Sequence, residues 1–136
     1  IDRKVPQLGN EWMKPGDAPY DGYINSEYQQ ALEVLSARGS AIAWLVSPHL
    51  NRTSPFNNPE RVDRLNEIVL PIVEGLPRAV IIDYQGYLGP TGGAKDIATR
   101  DDGVHIRADQ LQTVANWLAP QLIAASELPK AQPVPG

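Results

Sequence analysis

Only two histidines accompany the sixteen acidic side chains of this sequence, and one of them stands three residues after an aspartate. The string is Asp101-Asp102-Gly103-Val104-His105. In a tight turn, an aspartate at that spacing can accept a hydrogen bond from imidazole Nδ1–H. The tautomer is then fixed, and Nε2 is left as a general base toward a serine hydroxyl. Gly103 permits the turn between the two side chains. The same residues also suit a loop histidine with acidic neighbours, and spacing alone does not choose between these readings.

Other chemistry is less specific. His49 and Asp83 each follow an apolar run at the end where open α/β sheets bind ligands, so both are candidate substrate contacts. A solvated loop histidine and a loop-organising carboxylate are the competing readings. Ser47 lies beside Pro48 without the Gly-x-Ser-x-Gly setting of a nucleophile elbow. Asp96, Asp101, Asp102 and His105 are metal-ligand types. However, no second histidine stands near them and His105 accounts for the acidic cluster, so neither a metal nor another cofactor is expected. Gly89-Pro90-Thr91-Gly92-Gly93-Ala94-Lys95 lacks phosphate-loop spacing and reads as a flexible loop with no helix after it. Trp12, Trp44 and Trp117 read as packing residues.

These groups need a scaffold. Residues 1–21 show no apolar period and read as an irregular arm. A helix is predicted over 22–38, with Ile24, Tyr28, Ala31, Leu32 and Leu35 on one stripe, Asp21 as cap and Gly39 as left-handed stop. Ala41 to Val46 is a short apolar run ended by Pro48, and Ala79 to Ile82 is a second, so both read as buried parallel strands. Between them Asn58 and Pro59 open a helix whose stripe is Val62, Leu65, Val69 and Ile72, with Pro71 expected to kink or end it. The stretch 86–103 reads as a Gly-rich loop. A last helix over 107–124 places Leu111, Val114, Ala115, Leu118 and Leu122 on one face, with Pro120 distorting its final turn. Residues 125–136 read as a Pro-rich disordered tail. The order helix, strand, helix, strand, helix indicates α/β architecture with a parallel sheet. Two strands are few for a whole domain, so the sequence reads as the C-terminal half of a doubly wound fold over 22–124.

Composition narrows the class. The 136 residues are 42% hydrophobic and 21% charged, which suits a single globular domain. A net charge of −4 argues against a nucleic-acid partner. No apolar run approaches the length of a membrane-spanning helix. The absence of cysteine excludes disulfides, thiolate metal sites and cysteine nucleophiles. The chain opens on Ile1-Asp2-Arg3-Lys4 without methionine and reads as a processed product or a cut piece.

Taken together, these strings resemble the SGNH hydrolase family of GDSL-like esterases, whose last motif is an Asp-x-x-His before the C-terminal helix. Asp102-Gly103-Val104-His105 with Ala115 to Leu122 is similar to that block. Leu45 to His49 and Arg61 to Asn66 resemble the strand and helix before it. Gly9-Asn10-Glu11-Trp12 and Tyr20-Asp21-Gly22-Tyr23 resemble the SGNH domains at the C-terminal end of actinobacterial membrane O-acyltransferases. The resemblance covers about residues 5–123. It implies a three-layer α/β/α parallel sheet of flavodoxin-like type, here incomplete, with His105 as general base and Asp102 as its orienter. It implies acyl chemistry on glycan or lipid hydroxyls, a membrane-tethered parent and an extracytoplasmic location.

Other family parts do not carry over. The nucleophile belongs to a Gly-Asp-Ser motif absent from this chain; Gly16-Asp17-Ala18 is the nearest string and has alanine at the hydroxyl position. Arg107 stands where that subgroup has a capping threonine, with Asp109 as the compensating first-turn acid. A His–Asp pair without nucleophile or oxyanion donors should have little esterase activity alone. The expected partners are the acylated substrate, an N-terminal SGNH segment, and a second copy paired at the exposed sheet edge. The alternative is a non-catalytic interaction module built on the same α/β half-fold.

Overall fold

The computed structural model describes residues 2–52 and 58–129. The chain forms β1 (Arg3–Lys4), β2 (Trp12–Met13), α1 (Ala18–Ser36), β3 (Ile42–Leu45), α2 (Pro59–Glu74), β4 (Ala79–Ile82), α3 (Tyr84–Leu88), α4 (Ala94–Thr99) and α5 (Leu111–Ser126). A 3-10 turn at Ala108–Gln110 leads into α5. β3 and β4 pair in parallel, Ile42 opposite Ala79 through Leu45 opposite Ile82. The architecture is mixed α/β, with a two-stranded parallel sheet packed against helices.

The helices form where periodicity and caps agree. In α1, Tyr20, Ile24 and Leu32 are buried at i, i+4 and i+12, with half-buried Tyr28 completing the stripe. α2 opens as predicted: Asn58 Oδ1 accepts from Glu60 N at 2.9 Å and Pro59 stands in the first turn. Its stripe is Val62, Asn66, Val69 and Val73, again at helical spacing. Leu32, Val69 and Val73 pack with Ile42, Trp44, Ala79 and Ile81, the residues that alternate onto one sheet face. α5 contacts both strands and contributes nothing to that cluster.

Several expectations need correction. The arm is not irregular: β1 and β2 pair antiparallel, and fully buried Val5 packs with Tyr20, Ile24 and Ile68. α1 starts four residues early, because Pro19 in the first turn makes Asp17 the cap position. Asp21 instead accepts from Gly16 N and pairs with Arg64 of α2 at 2.9 Å. Pro71 does not end α2, which continues to Glu74, and α5 runs past Pro120 to Ser126, beyond the expected end at 124. The 86–103 stretch holds the end of α3 and all of α4, and α4 begins just after Gly92 and Gly93. The strands are only partly covered, with Ile82 the one buried residue among their eight. Leu35, Leu111 and Leu122 are exposed rather than buried, as is Trp12 at 70%. The predicted tail is helical through Ser126, and residues 130–136 lie outside the described residues.

Arg78 closes the end of the molecule opposite the strand tips. It is buried, its Nη1 donates to Gly39 O, and its Nε and Nη2 donate to Leu128 O at 3.0 and 2.7 Å. A guanidinium beyond the last turn of α5 satisfies carbonyls and meets the negative end of the helix dipole.

Candidate functional site

The turn after α4 builds the Asp–His pair from local hydrogen bonds. Gly103 N donates to Arg100 O at 2.9 Å, and Gly103 takes φ +75°, which an L residue resists. Asp102 Oδ1 then accepts from Val104 N at 2.8 Å and from His105 N at 2.7 Å. Its other oxygen, Oδ2, lies 2.7 Å from His105 Nδ1. The carboxylate is therefore fixed by two backbone donors before it meets the ring. In a neutral imidazole this bond requires the proton on Nδ1, leaving a lone pair on Nε2 at the opposite edge.

Electrostatics follow from the same contacts. The His105 imidazole first, then the His105 and Val104 amides, hold the Asp102 carboxyl well below the usual carboxylate range. The pair stands open: the His105 side chain is 79% exposed and that of Asp102 49%. Asp109 stands in the first turn of the 3-10 segment leading into α5, and its carboxylate pairs with Arg107 at 3.0 Å.

The turn is moored to the loop that follows β3. Asn51 N donates to Gly103 O at 3.0 Å. A methyl group on Gly103 would stand 2.5 Å from the Asn51 carbonyl carbon and nearer still to its oxygen. Arg107 N donates to Thr99 O at 2.9 Å and fixes the other side of the turn.

The second histidine is built differently. His49 Nε2 lies 2.6 Å from Asp63 Oδ1, and its side chain is 19% exposed, so it is not a solvated loop residue. Its carbonyl accepts from Arg100 Nη2 at 2.9 Å. Arg100 is buried beside fully buried Asp96, with Nε and Nη2 at 2.8 and 2.5 Å from Asp96 Oδ1. Asp96 Oδ2 accepts from Gly92 N at 2.9 Å, which ties the glycine loop to the same pair. Asn66 of α2 holds Ser47 by both backbone groups and donates to Gln85 Oε1 at 3.4 Å. A cavity of about 220 Å3 opens between these elements, lined by His49, Gln85, Thr91 and Arg100 among others.

The structure thus brings Asp102 to His105 and ties their turn to the loop of His49. Asp83 joins neither pair: its carboxylate accepts from Gly86 N at 2.7 Å and caps α3, the loop-organising role. Neither Asp102 nor His105 lines the cavity. Among the described residues no three acidic, histidine or cysteine side chains converge on a common centre, and Asp96 is committed to Arg100.

Asp63, Arg100, Asn66 and Gln85 escaped the sequence reading as site residues, and Asp96 was weighed there only as a metal-ligand type. Asp96 and Arg100 stand at i, i+4, a helical pair spacing that the loop assignment hid. Asp63 is fourteen residues from His49 and carries no local signal.

No helix among the described residues is long and apolar enough to cross a membrane. No family model matches the chain, and no curated protein or solved structure is significantly similar to it.

Proposed function

We propose that this chain is the C-terminal part of an SGNH-type serine esterase or O-acyltransferase domain, with His105 as general base and Asp102 as its orienter. The carrying observation is the 2.7 Å Nδ1–Oδ2 contact, made by a carboxylate whose other oxygen is already held by two amides. That arrangement leaves Nε2 free to take a hydroxyl proton as the oxygen attacks an acyl carbonyl. The nucleophile comes from a Gly-Asp-Ser segment outside this chain. In the finer fold, α5 lies on the sheet face opposite α1 and α2, giving a three-layer flavodoxin-like half. The strands absent from this half, or a second copy, pair along the open edges of β3 and β4. The substrate is an acyl ester of a glycan or lipid hydroxyl at the cell-envelope face, reached through a membrane-tethered parent, and the His49 loop contacts it.

The test is labelling with a serine-reactive fluorophosphonate. The chain alone is expected to stay unlabelled. Joined to an SGNH-type segment carrying Gly-Asp-Ser, it is expected to label and to hydrolyse short-acyl esters, and His105→Ala should abolish both. Full turnover in the joined His105→Ala protein would overturn the assignment.

One observation favours the second reading, a non-catalytic interaction module. His105 stands largely in solvent outside the cavity, while Val34, Leu35 and Ile123 leave apolar surface uncovered. Under that reading His105→Ala leaves partner binding intact and no added segment confers activity.

A further inference from the structure

We propose that the cavity beside His49 binds a small neutral ligand, an amide or ester, whose carbonyl oxygen accepts a hydrogen bond from Arg100 Nη1. Arg100 is 2% exposed, yet it lines this cavity. Its Nε and Nη2 are spent on Asp96 and on His49 O. Nη1 has no hydrogen-bond partner among the described residues. That N–H is left to the solvent of a small cavity, where an entering acceptor replaces a water. Gln85 adds a second polar contact: its Oε1 accepts from Asn66, and its amide nitrogen makes no bond among the described residues. Pro48 and Leu88 supply apolar wall for an alkyl end.

Charge selects the ligand class. Arg100 is matched by Asp96, and His49 is held by Asp63. The one cation on the lining is thus already neutralised by a buried carboxylate and offers no surplus positive charge to an anion. A carboxylate entering there finds no net attraction to offset its desolvation, whereas a neutral carbonyl gains the Nη1 bond without that cost. Size sets the limit. At about 220 Å3 the space is smaller than the roughly 300–1,000 Å3 of drug-sized sites, so it suits a ligand of a few heavy atoms.

The test is titration with N-methylacetamide and, separately, sodium acetate at alkaline pH. Arg100 Nε–H and the Gln85 side-chain amide are followed in 1H–15N spectra. Thr91→Phe, at the exposed rim, is the variant that fills the mouth without touching the buried pair. N-methylacetamide is expected to give saturable shifts at both groups. Thr91→Phe should raise its Kd about tenfold or more, and acetate should bind more weakly than the amide. Shifts that are absent or never saturate, or a Kd unmoved by Thr91→Phe, would overturn the site. Tighter binding of acetate would overturn the ligand class. No nucleophile and no ester cleavage enter this test, so its failure and failure of the acyl-transfer reading are distinguishable.

Discussion

Gly103→Ala tests how the His–Asp turn is held. Gly103 is buried with φ +75°, and its carbonyl accepts from Asn51 N at 3.0 Å. Placing an L residue in the left-handed region costs about 1–2 kcal/mol. The added methyl meets the Asn51 carbonyl, so the loops must separate and that hydrogen bond is lost, about 0.5–1.5 kcal/mol more. The sum is about 1.5–3.5 kcal/mol, or a fall in Tm on the order of 10 °C for a domain of this size. Gly39→Ala is the control, since Gly39 shares the left-handed backbone, φ +73°, but a methyl there meets nothing within 4 Å. Differential scanning calorimetry on both variants separates backbone strain from steric contact. Gly103→Ala should lose clearly more than Gly39→Ala. Equal losses would refute the claim that Asn51 moors the Asp102–His105 turn.

Asp102 has its folded-state pKa depressed, so its contribution to stability is present above its unfolded pKa of about 4 and fades as pH falls through the folded value. The Tm gap between wild type and Asp102→Asn should therefore be full at neutral pH and shrink only in strong acid, as followed by thermal melts across pH. Arg78→Met leaves the carbonyls of Gly39, Ser126 and Leu128 without their donor and should cost about 3 kcal/mol in urea unfolding. Asp96→Ala strands the buried Arg100 charge and should cost about 3–5 kcal/mol by the same assay, whereas an exposed pair would cost under about 1 kcal/mol. Light scattering of the concentrated chain should show dimers or larger species through the open sheet edges, and a strictly monomeric chain would count against that pairing.

What was legible in the sequence was local. Asp102 and His105 are three residues apart, and the turn that joins them is closed by their own backbone amides, so spacing carried the geometry. Asn58-Pro59 announced α2 for the same reason, and Gly39 its left-handed turn. Asp17-Ala18-Pro19 was an equally local helix start, and Asp21 drew attention from it because acids are common in first turns. The partners of His49 were not legible: Asp63 reaches it from α2 and Arg100 from the turn after α4, contacts that exist only once the chain has folded. Periodicity also names a helix face without saying whether anything covers it. Leu35, Leu111 and Leu122 fell on predicted buried stripes and stand exposed. α3 and α4 are too short for any period to register, which is why the glycines around them read as one loop.

The central claim, that Asp102 sets His105 as a base through Nε2, is read most directly from the imidazole itself. Long-range 1H–15N correlation at alkaline pH reports which ring nitrogen carries the proton. The 2.7 Å bond predicts Nδ1–H with an unprotonated Nε2, and loss of that preference in Asp102→Asn. A proton on Nε2, unchanged by Asp102→Asn, would contradict the account.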